Sequence, residues 1–189
     1  NDAILKARQP GLDHYHLKAD WRTLDGYFAR LRKQGIGINM GTYIGATTVR
    51  EMVLGYGDRT PNADELKRMQ ALVADGMRQG AMGLSTALQY APAPYAKTDE
   101  LVALASTAAQ FGGIYATHMR SEGKAENAAL DETFRIGREA HIPVEIFHLK
   151  ASGKSSWGTM PKIVARIEAA RASGIDVAAD TYAYTAWQN

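Results

Sequence analysis

Two histidines near the middle of the chain occupy equivalent positions with respect to short apolar runs. His118 ends one run and His148 ends another, and each is followed two residues later by a cation, Arg120 or Lys150. Imidazole nitrogens are common zinc ligands, and a cation beside them suits a substrate that carries negative charge. A strand-end histidine also serves as a hydrogen-bonded structural residue. The residue types alone therefore leave a metal-plus-anion site and a structural role both open.

The two apolar runs, residues 113–117 and 143–147, are predicted to be neighbouring strands of one sheet. Between them lies a mixture of polar and apolar residues long enough for one helix, and parallel strands need such a crossover. The carboxyl ends of parallel strands lie at the same edge of their sheet. Both histidines are therefore expected at that common edge.

The same alternation of strand and helix is predicted along most of the chain. Apolar runs predict strands at residues 35–41, 81–86, 113–117, 143–147 and 175–182. Apolar residues at helical spacing predict helices at 21–33 and 49–54, between Thr60 and Gly80, from a cap at Thr98 to Phe111, between 118 and 143, and one ending at Gly174. Asn62 and Glu65 have the spacing of a capping box, and residues 42–48 are predicted to be a loop.

Five βα units in alternation predict an α/β fold with a parallel sheet covered by helices. The chemically interesting residues follow the strands, which is typical of a (β/α)8 TIM-like barrel. Five units cannot close such a barrel, so the predicted fold is an incomplete barrel that lacks strands at both ends. The chain has no initiator Met and stops just after the last predicted strand. Residues 1–189 are therefore expected to be a partial barrel domain, a fragment of a longer protein.

Composition and charge argue against several classes of partner. Hydrophobic residues make up 46% and charged residues 22% of the chain, and the formal net charge is only +2. Lys and Arg are spread over the predicted helices, so neither nucleic acid nor a membrane is expected as a partner. The sequence contains no cysteine, which excludes disulfides and thiolate metal ligands and fits a cytoplasmic location.

A second pair of histidines, His14 and His16, has the alternate spacing by which two strand residues can share a metal ion. A turn signal at Pro10 and Gly11 precedes them, and no buried apolar run leads into them. We expect these histidines to lie in a loop or at a strand edge, where they are solvated or pack against neighbours.

Several motifs, in order along the chain, resemble those of the N-acyl-D-amino-acid deacylases, which are D-aminoacylase-type members of the amidohydrolase superfamily. They are residues 80–86 (GAMGLST), 90–92 (YAP), 115–122 (YATHMRSE), 147–150 (FHLK) and 180–184 (DTYAY). The resemblance extends from about Gly80 to Ala186 and continues more weakly toward the beginning of the chain.

This resemblance implies a metal-dependent (β/α)8 barrel beside a small β-sandwich, with the predicted strands corresponding to the third to seventh of the barrel. It implies that His118 and His148 bind zinc. Four further residues correspond to positions near the substrate: Arg120, Lys150, Tyr90 and Tyr182. The implied activity is hydrolysis of the amide bond of a small-molecule N-acyl-D-amino acid, which gives a carboxylate and a free D-amino acid.

The chain departs from the family pattern in ways that bear on activity. The His-x-His motif of the first barrel strand and the ligand cysteine after the second strand are absent. Many relatives have Gly-His after the third strand, where this chain has Gly45 and Ala46. The aspartate that serves as general base follows the eighth strand, so we expect it downstream of this chain. The chain then carries part of the metal site and no catalytic proton-transfer residue, and alone it is expected to be inactive.

Two other classes of function remain open from the sequence. Lys150 at the end of a barrel strand is also compatible with a Schiff-base aldolase, which needs a neutral amine at that position. A non-catalytic binding fragment derived from a barrel is the other alternative.

Overall fold

The central element of the structure is a five-stranded parallel sheet whose strands lie side by side in chain order. The computed structural model describes residues 2–186. Its strands are β1 (Ile44–Gly45), β2 (Gly83–Ala87), β3 (Ile114–His118), β4 (Val144–Ile146) and β5 (Val177–Ala179). The α/β class and the parallel alternation of strands with helices are confirmed. Within residues 2–186 no pairing joins β1 to β5.

Helices connect the strands and cover the sheet. They are α1 (Asp2–His14), α2 (Leu24–Gln34), α3 (Ala46–Leu54), α4 (Ala63–Arg78), α5 (Thr98–Ala109), α6 (Glu126–Ala140) and α7 (Met160–Ala172). Short 3-10 turns occupy Ala93–Tyr95 and Lys154–Ser156, each in a connection that follows a strand. Among residues 2–186, none of the helices combines the length and the apolar composition of a membrane-spanning segment.

The helix α4 shows how local sequence signals produce the packing. Asn62 accepts a hydrogen bond from the backbone of Glu65, and the Glu65 side chain accepts one from the backbone of Asn62, so the predicted capping box is confirmed. Met69 and Val73 are fully buried on the face that turns toward the sheet. The methionine serves as core packing, and the apolar stripe anchors the helix beside β1.

Strand register brings the end of β3 level with the end of β4. Thr117 pairs with Ile146, and the backbone N–H of Phe147 donates to the carbonyl of Thr117 at 3.0 Å. His118 is the last residue of β3, and His148 follows β4 by two residues. Both histidines therefore lie at the carboxyl edge of the sheet.

The predicted first strand at residues 35–41 is wrong. This segment is irregular, and its apolar side chains at Ile36 and Ile38 are 45% and 76% exposed. Hydrogen bonding to the β2 side begins only at Thr42, whose carbonyl accepts from Met82 at 2.8 Å, and the strand itself is Ile44–Gly45. The predicted loop at 42–48 therefore contains β1, because a strand forms where a neighbouring strand can pair with it and not wherever an apolar run occurs.

The first residues of the chain also differ from expectation. Helix α1 continues through Pro10 and Gly11, which predicted a turn, and His14 is its last residue. His16 follows in a left-handed conformation with φ of 52°. The interpretation of His14 as part of a loop or strand edge is wrong; both side chains are exposed. Pro10 lies inside this helix, although a proline there removes one backbone hydrogen bond and crowds the carbonyl four residues earlier.

The close approach of β2 to β3 at Gly83 gives a test of this packing. A Cβ atom at Gly83 would lie 2.0 Å from the carbonyl oxygen of Ile114 on the adjacent strand. We expect Gly83→Ala to lower the free energy of unfolding by on the order of 3 kcal/mol, measured by urea denaturation. Gly37→Ala is the matched control, because nothing lies within 4 Å of its added methyl group. Equal stability of the two variants would contradict the sheet register.

Candidate metal and substrate site

The imidazole rings of His118 and His148 contact each other at the carboxyl edge of the sheet. Nδ1 of His118 lies 2.9 Å from Nε2 of His148, and the rings are nearly perpendicular, with centroids 4.7 Å apart. The structure thus brings together the two residues that were predicted as metal ligands. Two ring nitrogens directed at one another can both face a single ion.

A left-handed backbone turn directs His148 toward His118. His148 has φ of 43°, an uncommon conformation for a residue with a side chain. Asp180, which follows β5, stabilises this turn: its carboxylate accepts from the backbone N–H of His148 at 2.6 Å, and its carbonyl accepts from that of Leu149 at 2.7 Å. The residue that follows β5 therefore helps to set the position of the His148 ring, which follows β4.

A buried carboxylate, Glu122, joins the two histidines and was not predicted as a site residue. Its Oε1 lies 2.6 Å from Nζ of Lys150, 2.9 Å from Nδ1 of His148 and 4.0 Å from Nδ1 of His118. Glu122 lies in one of the motifs that carry the family resemblance. Its contact with His148 could not be read from sequence, because residues 119–125 form an irregular turn and not a helix with a defined face.

The contacts of His148 restrict its protonation when Nε2 binds a metal. Nε2 must then offer its lone pair, so the ring proton resides on Nδ1. Nζ of Lys150 lies 2.8 Å from Nδ1, but an ammonium group cannot accept that proton, whereas the carboxylate of Glu122 at 2.9 Å can. Glu122 is thus placed to orient His148 as a ligand, in the manner of the carboxylates that support metal-bound histidines.

The environment of His118 favours the neutral imidazole that metal binding requires. Burial lowers the pKa of His118 below its ordinary value; Glu122 opposes this effect, and the charges of His148 and Lys150 add to it. Its Nε2 is buried and has no hydrogen-bond partner. Together, His118, Glu122 and His148 place possible ligand atoms within 4.8 Å of one another. Two imidazoles, one of them oriented by a carboxylate, suit a zinc-like divalent ion.

A cavity of about 490 Å³ opens over the two rings. Its volume lies within the range of small-molecule sites. All the residues that the sequence singled out for the site line this cavity: Tyr90, His118, Arg120, His148, Lys150 and Tyr182. The ring centroids of Tyr90 and His118 lie 5.4 Å apart. Nζ of Lys150 lies 5.6 Å from the ring centroid of Tyr182.

Arg120 lines the cavity but is already heavily engaged. Its Nε and Nη2 donate to the two carboxylate oxygens of Glu132 at 2.8 and 2.9 Å, and it also donates to the carbonyls of Pro94 and Ala96. These contacts occupy nearly all the donors of the guanidinium group. A bidentate grip on a substrate carboxylate would require the pair with Glu132 to open.

The search against known protein families found no family model that matches the chain. Among curated proteins, the chain is 40% identical over 160 residues to a D-aminoacylase and 36% identical over 158 residues to an N-acyl-D-glutamate deacylase, both from Alcaligenes xylosoxydans xylosoxydans. The matches cover 85% and 84% of the chain but 33% and 32% of those proteins. The chain therefore spans about a third of the length of the curated relatives it matches.

Solved structures give the same result for the fold. A D-aminoacylase variant in complex with copper chloride matches with a TM-score of 0.82 at 41% identity, over 86% of this chain and 34% of that one. The N-acyl-D-glutamate deacylase of Bordetella bronchiseptica, in complex with zinc and a phosphonate mimic of the tetrahedral intermediate, matches with the same TM-score at 32% identity and the same coverages. The five-stranded sheet thus corresponds to part of an amidohydrolase barrel.

Behind Glu122, the carboxyl group of Glu126 is buried at the start of α6, and its Oε1 has no hydrogen-bond partner. Burial, reinforced by the charge of Glu122, raises its pKa from 4.5 to about 7. The folded protein therefore binds this proton more tightly than the unfolded chain does. The free energy of unfolding should fall as the pH rises from about 4.5 to about 7 and then level off.

Glu126→Gln removes this titration. In metal-free protein, we expect the variant to gain stability relative to wild type as the pH is raised, by on the order of 2 kcal/mol at pH 8 compared with pH 4.5, measured by urea denaturation. The exposed Glu168 on α7 supplies the control variant Glu168→Gln. A Glu126→Gln difference that does not vary with pH would show that this carboxyl group titrates normally.

Proposed function

We propose that the protein carrying this chain hydrolyses the amide bond of N-acyl-D-amino acids. The chain is homologous to the D-aminoacylases and N-acyl-D-glutamate deacylases of the amidohydrolase superfamily. The products are a carboxylate and a free D-amino acid. The observation that carries the proposal is the pair of strand-end imidazoles, 2.9 Å apart, at the base of a cavity.

We propose zinc as the metal, held by His118 and His148. The facing Nδ1 of His118 and Nε2 of His148, 2.9 Å apart, support a metal at this point, and a relative with the same fold was solved with zinc. A bound zinc ion supplies Lewis acidity toward the acyl carbonyl and lowers the pKa of water to about 7. Glu122 holds the proton of His148 on Nδ1 and so keeps Nε2 available.

Lys150 and Tyr182 are proposed to meet the substrate. Nζ of Lys150 faces the cavity while paired with Glu122, and a compact ammonium group can bind the substrate carboxylate as a point charge. The hydroxyl of Tyr182 is proposed to donate to the oxyanion that develops at the acyl carbon. Tyr90 lines the same cavity beside His118 and is proposed to contact the substrate.

The proton transfers are proposed to need a group outside this chain. Glu122, the carboxylate among the described residues that lines the cavity, accepts from Lys150 and lies against His148, so its position suits orientation of these groups. The general-base aspartate that the resemblance implies downstream stays a prediction. So do the partial barrel domain at residues 1–189, the inactivity of the isolated chain and a cytoplasmic location.

The contacts of Lys150 weigh against the aldolase alternative. Its amine lies 2.6 Å from the buried carboxylate of Glu122, an arrangement that suits the ammonium form, whereas a Schiff base forms from the neutral amine. Two relatives that match the chain are a D-aminoacylase and an N-acyl-D-glutamate deacylase, which are amide hydrolases. The site is therefore better suited to amide hydrolysis.

The metal role is tested by His118→Ala and His148→Ala in the protein over its whole coding length. Each variant should lose most of its bound zinc, measured by elemental analysis after dialysis, because it loses an imidazole ligand. Each should also lose at least about 100-fold in kcat/KM for N-acetyl-D-leucine. His14→Ala is the control, since His14 is exposed at the end of α1. Full zinc occupancy in either site variant would refute the ligand assignment.

The substrate class is tested separately with the two enantiomers. We expect the wild-type protein to hydrolyse N-acetyl-D-leucine and to leave N-acetyl-L-leucine essentially intact, measured by release of the free amine. Equal rates for both enantiomers, or hydrolysis of neither alongside normal zinc binding, would contradict the proposed substrate while leaving the metal site in place.

A further inference from the structure

We propose that Arg120 is a positioning residue, which together with Glu132 fixes residues 88–97 so that Tyr90 is held against His118. This inference deepens the proposed function, because it concerns the wall of the same cavity. We call residues 88–97 the β2–α5 segment, since they connect those two elements.

The guanidinium group of Arg120 joins three parts of the fold. Nε and Nη2 form a bidentate pair with Glu132 on α6. Nη1 donates to the carbonyl of Pro94 and Nη2 to that of Ala96, each at 2.9 Å. One planar group that follows β3 therefore holds the β2–α5 segment to α6. A bidentate pair of this kind fixes orientation as well as distance.

Glu132 extends the same contact to the start of α5. Its Oε1 also accepts from the hydroxyl of Thr98 at 2.9 Å, and its side chain is only 11% exposed. Thr98 was predicted as the cap of α5; instead Lys97 is the cap residue, and no side-chain cap bond forms. The threonine hydroxyl thus serves the contact with Glu132, and the far end of the segment is fixed at the same point.

Internal hydrogen bonds connect the fixed carbonyls to Tyr90. The N–H of Ala93 donates to the carbonyl of Tyr90 at 2.9 Å, and the N–H of Ala96 donates to that of Ala93 at 3.0 Å. At the near end, the N–H of Leu88 donates to the carbonyl of His118 at 3.1 Å. A shift of Pro94 and Ala96 would therefore be passed to the ring that lies beside His118.

The positioning role differs from a substrate-binding role in what it requires of Glu132. If Arg120 binds the substrate carboxylate, loss of the Glu132 charge frees the guanidinium and should not weaken substrate binding. If Arg120 positions the segment, Glu132 is needed as much as Arg120, although Glu132 does not line the cavity over the two histidines. Arg120→Lys keeps the charge but lacks the planar fork, and Glu132→Gln keeps the shape but lacks the charge.

The test is hydrogen exchange on the zinc-loaded protein over its whole coding length. We expect Arg120→Lys and Glu132→Gln each to raise the exchange rates of the Ala93, Tyr95 and Ala96 amides by about tenfold or more, because the segment opens more often. Zinc content and exchange in α7 should stay as in wild type. Arg135→Lys is the matched control. Arg135 lies on α6, as Glu132 does, and it pairs with Asp99 and Glu139 but not with the β2–α5 segment.

Kinetics supply the second readout. Both variants should lower kcat/KM for N-acetyl-D-leucine by a similar factor of about ten, and the double variant should be no worse than either single one, because the two residues act as a unit. Unchanged segment exchange in both variants, or a Glu132→Gln protein with wild-type kinetics, would overturn the positioning role. The exchange readout needs no substrate, so faster exchange in a protein that proves not to be a deacylase would still support this inference.

Discussion

The arrangement of the site depends on the register between two neighbouring parallel strands. Because Thr117 pairs with Ile146, the residues that follow at the carboxyl edge emerge side by side, and the rings of His118 and His148 meet there. A shift of one residue would turn one ring to the opposite face of the sheet. The ability of the two imidazoles to bind one ion together is thus a consequence of how β3 and β4 pair in the sheet.

Charge balance is the second constraint on this edge. Each of the two cations that line the cavity has a carboxylate partner of low exposure: Lys150 pairs with Glu122, and Arg120 pairs with Glu132. The first pair lies against His148 and influences the ring directly. In the second pair, Arg120 also donates to the backbone carbonyls of Pro94 and Ala96. Arg120 and Lys150, each two residues after a histidine, therefore have different surroundings. Those surroundings favour a positioning role for Arg120 and substrate binding for Lys150.

The sequence was sufficient for the parts of the fold that depend on periodicity and on local capping. The strands before His118 and His148 and the capping box of Asn62 could be predicted, because each signal lies within a few residues of its consequence. Strand β1 could not, since its pairing with β2 depends on where Met82 meets Thr42 and not on the apolar run before it. Glu122 and Glu132 were missed for a related reason: both act through contacts between turns or helices that no periodic pattern records.

We propose that a metal ion lies between the rings of His118 and His148. Anomalous diffraction at the zinc absorption edge, from crystals of the zinc-loaded protein over its whole coding length, tests it most directly. We expect a strong anomalous peak in contact with Nδ1 of His118 and Nε2 of His148. A zinc peak that contacts only one of these rings, or neither, would contradict it.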